Sequence, residues 1–245
     1  ITTSSRNTYL GAYSGSSTVN TAGGYNTAVG YGTLYNSTAG YNVAVGHNAG
    51  VALTTGDSNT LIGTGCATAL TTGGANVAVG YGTMKFQTTA NGNTVVGFEA
   101  GEANVTGNQN TFVGQRAGQD CTSSENTCIG AYSGSQLTSG QGNTSLGRNS
   151  LVLATTASSN IAIGVDAMEQ CTSGASNIAV GPYALQDNTT GGQNVAVGRN
   201  ALHSNTANSN TAVGHEALYA NTTATNNSAL GYRTLDTNTT GTYKC

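Results

Sequence analysis

Residues 59–80 read N-T-L-I-G-T-G-C-A-T-A-L-T-T-G-G-A-N-V-A-V-G. The five residues that open this stretch, Asn59 to Gly63, return in kind as Asn76 to Gly80, 17 positions later. The unit is Asn, a β-branched residue, a usually small apolar residue, an aliphatic residue and Gly. It also appears as N-T-A-V-G from Asn26 and N-V-A-V-G from Asn42. Fourteen copies begin at Asn7, Asn26, Asn42, Asn59, Asn76, Asn93, Asn110, Asn126, Asn143, Asn160, Asn177, Asn194, Asn210 and Asn227. After a first interval of 19 residues, every interval is 16 or 17. So tight a period marks a repeat architecture. Seventeen residues are too few for a helical-pair repeat, which takes about 33 or more. They suit one turn of a solenoid, with Val, Ile and Thr on a pleated surface and Gly, Asn and Ser at corners. The expected fold is all-β, a parallel β-solenoid of about 14 turns over residues 7–240, with a short extension at 1–6 and a tail at 241–245.

Each repeat position forms a column. Position 1 is Asn throughout, and Asn26, Asn42, Asn59, Asn76, Asn93 and Asn110 are expected to form a hydrogen-bonded ladder. Position 5 is Gly throughout; Gly30, Gly46, Gly63 and Gly80 point to a corner with positive φ or a close backbone contact. Position 4 is always Val, Ile or Leu and is expected to face the interior. Position 3 then points the other way, yet it is apolar almost everywhere, with Ser145 the clear exception. A strand apolar on both faces is usually covered on both. Tyr9, Leu61, Val95 and Phe112 are therefore expected to contact another chain, most simply around a three-fold axis. The first and last copies keep the signature instead of forming caps. That favours a segment of a longer fibre or end-to-end stacking, with 14 turns spanning roughly 65–70 Å.

Composition narrows the function. Seven basic against ten acidic residues, a net charge of −3, cannot build a phosphate-binding surface, so nucleic acid is not an expected partner. No apolar run approaches the ~18 residues of a membrane span, so membrane insertion is not expected either. The nearest carboxylate pairs, Glu99 with Glu102 and Asp166 with Glu169, fall at solvent positions with no cleft for acid–base work. His47, His203 and His215 lack metal-ligand spacing. Catalytic, cofactor-binding and metal-binding residues are not expected. Cys66 and Cys128 read as small buried hydrophobes. Cys121 and Cys171 share position 12 but lie too many turns apart for a disulfide. Cys245 is the candidate for an intermolecular disulfide. Position 13 is Thr in nearly every copy, from Thr38 to Thr239. It suits either an ice-binding rank or a ladder of hydroxyls bonded to backbone. The glycosylation sequons at Asn36, Asn104, Asn188, Asn221 and Asn238 are expected mostly on corners. Tyr31, Tyr81 and Tyr232 are candidates for stacking on sugars.

The longer signature, N-I-A-V-G-P-Y-A-L from Asn177 and N-T-A-V-G-H-E-A-L from Asn210, resembles the repeat region of phage and bacterial tail-fibre proteins. It is similar as well to the left-handed β-roll head of trimeric autotransporter adhesins, whose turn is shorter. The resemblance covers about residues 7–240. It implies a left-handed, oligomeric, extracellular fibre on a virion or cell surface, supporting adhesion. The implied partners are further copies of the chain, as a homotrimer or an end-to-end filament, and cell-surface glycans. An ice-binding solenoid is the alternative.

Overall fold

The computed structural model describes residues 6–16 and 23–245, so all but Arg6 of the expected extension lies outside the described residues. The chain forms two compact units, residues 1–124 and 125–245. The first holds β1 (Thr8–Leu10), β2 (Thr27–Val29), β3 (Val43–Val45), β4 (Thr60–Ile62), β5 (Val77–Val79), β6 (Thr94–Val96) and β7 (Thr111–Val113). The second holds β8 (Thr127–Ile129), β9 (Thr144–Leu146), β10 (Ile161–Ile163), β11 (Ile178–Val180), β12 (Val195–Val197), β13 (Thr211–Val213) and β14 (Ser228–Leu230). Within each unit every strand pairs in parallel with the next. The register aligns equal repeat positions, as in Leu61 with Ala78 and Ala162 with Ala179. This is the parallel β-solenoid that the period predicts. About 13 turns separate the 14 strands.

The structure reverses the expected orientation of the strands. Position 3 faces the interior: Ala28, Ala44, Leu61, Ala78, Val95 and Phe112 are all fully buried within the one chain. Leu61, Val95 and Phe112 are thus core residues and not oligomer contacts. Tyr9 is half-buried, and a Cβ added at Gly15 would lie 2.6 Å from its ring. Positions 2 and 4 point outward instead; Ile62 is 37% and Val77 38% exposed. The cause is geometric. A three-residue strand whose ends turn outward has only its middle side chain to send inward. The lumen is narrow, so that side chain is mostly Ala.

Larger inward residues are accommodated at position 9. Phe112 packs against Gly118 and Gly101, where an added Cβ would come within 2.6 and 3.1 Å of its ring. Leu61 fills the space over Gly50, 2.7 Å from a Cβ there. Where position 3 is Ala, position 9 usually carries the bulk, as in Leu34, Met84, Met168 and Leu185, all buried. The polar exception, Ser145, is satisfied by a buried hydroxyl cluster, 2.6 Å from both Ser133 and Ser150.

Three ladders tie the coils together. The Asn59 backbone N–H donates to Asn42 Oδ1 at 2.9 Å, and Asn76 repeats this to Asn59 at 3.0 Å. The Asn59 and Asn76 Nδ2 groups donate to the carbonyls of Gly73 and Ala90. The same pattern runs from Asn126 to Asn227 in the second unit. At position 5 the glycines have φ near +130 to +140°, for example Gly63 at 138°. At position 13 most Thr hydroxyls donate to the next coil's position-13 carbonyl, as Thr54 does to Thr71 at 3.0 Å. The 16-residue coils drop the residue after this Thr. Ala39 and Ala207 then take over as acceptors for Asn26 and Asn194, both at 2.8 Å.

One large interior side chain is poorly matched. Gln87 is fully buried at position 12, where earlier coils carry Leu53 and Leu70, and neither of its amide atoms has a hydrogen-bond partner. Gln87→Leu is expected to stabilise the protein by about 1–2 kcal/mol. That corresponds to a rise in Tm of roughly 2–8 °C, readable by calorimetry.

Candidate functional site: an outward β-branched face

The side chains that could carry chemistry are dispersed by the fold. Glu99 pairs with Arg116 of the next coil at 2.9 Å. Glu102 pairs with Lys85 of the preceding one at 3.6 Å. Asp166 meets Arg148 at 3.4 Å and accepts from Asn149 Nδ2 at 3.0 Å, while Glu169 accepts from Gln186 at 2.8 Å. Each carboxylate is spent on a neighbouring coil rather than on a second carboxylate. His203 lies 3.3 Å from Asp187, and His47 and His215 stack on Tyr31 and Tyr232. Among the described residues no group of three His, Cys, Asp or Glu is placed to hold a metal, and no helix is long and apolar enough to cross a membrane.

Burial pushes the Cys66 thiol up to about 12 and the Cys171 thiol up to about 11. Both stay protonated and unreactive at neutral pH. Cys245 is exposed. The sequons divide differently from expectation. Asn104, Asn188 and Asn221 are fully buried at position 12. Their amides bond to the backbone, as Asn104 Oδ1 does to the Gly107 N–H at 2.8 Å, so no glycan fits there. Asn36 alone among the five is exposed. The position-13 threonines range from half-buried, as Thr54 and Thr71, to exposed, as Thr138 and Thr155, and most of their hydroxyls are committed to backbone carbonyls.

What remains available is the outer face of the parallel strands. Positions 2 and 4 present two ranks of side chains spaced by one residue: Thr60 with Ile62, Val77 with Val79, and Thr94 with Val96 in the first unit. Ile161 with Ile163 and Ile178 with Val180 continue the pattern in the second. No strand side chain among the described residues is charged. Rungs about 4.8 Å apart and ranks about 7 Å apart make the surface flat and regular. The seven strands of one unit offer roughly 400 Å², taking the strip as about 12 Å wide. That is as large as the biggest apolar patch on a typical monomer. The sequence places these residues but assigns them to the interior. The missed signal is the inverse size relation between positions 3 and 9, which makes those two columns share one lumen.

No known protein family, curated protein or solved structure matches the chain. The fold defines it as a parallel β-solenoid.

Proposed function

We propose that the chain is a structural fibre protein, a subunit or shaft segment of an extracellular filament or virion fibre that supports adhesion. The outward β-branched face carries this reading. A long, uncharged, flat strip of Val, Ile and Thr is stabilised when it is covered, and a second copy of the chain presents a matching strip. The strip of one unit alone supplies about half of the ~800 Å² per partner of a standard interface. The ladders make each unit rigid, because each coil repeats the same bonds and stability accumulates with coil number. A homotrimer covers the strips directly, whereas an end-to-end filament pairs the terminal coils, and a disulfide at the exposed Cys245 would strengthen either.

Light scattering tests the reading. The wild-type chain is expected at a multiple of 24.4 kDa. Val45→Lys with Val79→Lys is expected to give monomers with an unchanged circular dichroism spectrum, since both side chains already point outward. A monodisperse wild-type monomer at micromolar concentration would overturn the proposal. Ice binding is the second reading, favoured by the two outward ranks spaced by one residue, at positions 2 and 4 instead of 13. Thermal hysteresis from a monomeric wild-type protein would select it.

A further inference from the structure

The corner of the first unit that carries repeat positions 6, 7 and 10 is grooved. Tyr13, Tyr31 and Tyr35 converge on a cleft of about 280 Å³ that Asn48 closes on one side. Asn48 also belongs to a second cleft, about 140 Å³, between His47 and Tyr81. The depth has a sequence cause. Position 7 is glycine at Gly32, Gly65 and Gly82, whereas the second unit carries a side chain there in every coil, from Tyr132 to Arg233. A Cβ added at Gly65 would meet nothing within 4 Å.

The lining restricts what can bind. The floor's backbone donors are already used: the Gly65 N–H donates to His47 O at 2.9 Å and the Gly82 N–H to Thr64 O at 3.1 Å. An extended peptide would therefore find no strand edge. Lys85 with Glu102 and Arg116 with Glu99 form ion pairs that cancel in charge, which disfavours anions and cations alike. What the groove offers is ring faces beside hydroxyl, amide and carboxylate groups. Tyr31 stacks on His47 with centroids 5.3 Å apart, Tyr81 stacks on Phe98 at 5.4 Å, and Tyr31 and Tyr81 are each more than half exposed.

We propose that this groove binds a neutral, linear glycan. The apolar faces of pyranose rings lie on the aromatic side chains, and the ring hydroxyls bond to Asn48, Thr64, Thr68 and the paired carboxylates. The coil step of about 4.8 Å is close to the advance of an extended glycan per ring, so successive sugars meet successive coils. The inference deepens the adhesive part of the fibre reading. The two are separable, because the groove uses positions 6, 7 and 10 and assembly uses positions 2 and 4.

The test is calorimetric titration and saturation-transfer NMR with linear tetrasaccharides of glucose, mannose, galactose and N-acetylglucosamine. At least one is expected to bind saturably. Tyr81→Ala and Gly65→Asn are each expected to weaken it roughly tenfold or more. Gly65→Asn fills the floor without disturbing the fold, since Asn48, Asn149 and Asn200 occupy the same repeat position at φ 57, 55 and 59°. Tyr183→Ala, in the second unit, is expected to leave the affinity unchanged. No saturable binding of any of the four sugars at millimolar concentration, or binding that survives Gly65→Asn, would overturn the proposal. Light scattering on the same samples reads assembly separately, so either idea can fail alone.

Discussion

Gly63→Ala is expected to destabilise the first unit by at least about 3 kcal/mol, combining backbone strain with overpacking. Gly63 has a φ of 138°, which L-residues rarely adopt. Its added Cβ would fall far inside van der Waals contact with the Gly80 carbonyl oxygen and 2.6 Å from the carbonyl carbon. Both obstacles are backbone, so no rotamer change relieves them. Moving these two coils apart would break the Gly80 N–H bond to Ile62 O, now 2.8 Å. Gly65→Ala, two residues along the same coil, is the control. Its Cβ has open space and its φ of 68° lies in the left-handed region, so it is expected to cost only about 1–2 kcal/mol. Urea denaturation of the two variants separates the cases; equal costs would mean that adjacent coils can spread at position 5.

The second large effect is expected at Asn76, which is fully buried. Its Oδ1 accepts the Asn93 backbone N–H at 3.0 Å and Asn93 Nδ2 at 3.2 Å. Its Nδ2 donates to Asn59 Oδ1 at 3.1 Å and to Ala90 O at 2.9 Å. Asn76→Ala strands the Asn93 N–H and the Ala90 carbonyl in the interior. At about 1–3 kcal/mol for each orphaned group, the loss is expected to be about 3–5 kcal/mol. Asn76→Asp is more informative. It keeps the shape but sets carboxylate oxygens against Asn59 Oδ1 and Ala90 O. Burial and these acceptors raise the folded-state pKa of the new acid above its unfolded value. The folded state then binds more protons, so the variant's stability is greatest at acidic pH and falls as pH rises. Denaturation midpoints at acidic and neutral pH, referenced to wild type, read this directly. A pH-independent difference would mean that the ladder does not surround the carboxylate as described.

The contrast between these ladders and the strand orientation explains what the sequence reveals. Invariant columns are legible because one geometric demand recurs in every coil. Asn at position 1 and Gly at position 5 need no knowledge of which side is inside. Orientation is different. A helix or a long strand declares its buried face by alternation, but T-A-V, V-A-V and I-A-I are apolar at all three positions. Bulk is a misleading guide here. The expectation put the large aliphatic side chains at position 4 inside, whereas a 17-residue coil leaves a lumen so tight that Ala44 and Ala78 fill it while Val45 and Val79 stay half-exposed. The decisive clue is a pairing of opposites, Phe112 with Gly118 and Ala78 with Met84. It becomes visible only when two columns are compared coil by coil. The groove is legible only in part. Its tyrosines stand out in the sequence, but its depth comes from missing side chains at position 7, and absences among 36 glycines carry no signal until the coils are stacked.

The 16-residue coils show where the architecture forgives an alteration: one residue after the position-13 Thr, with the neighbouring carbonyl taking over the asparagine's bond. Elsewhere a small insertion or deletion would shift an Asn or Gly out of its column. Removal or duplication of a whole repeat restores every column. For a gene of this kind, recombination that adds or removes a whole repeat would yield folded products that differ in coil count. Length is then a digital trait, changed in whole coils of about 4.8 Å, and it varies by copy number long before any side chain has to change.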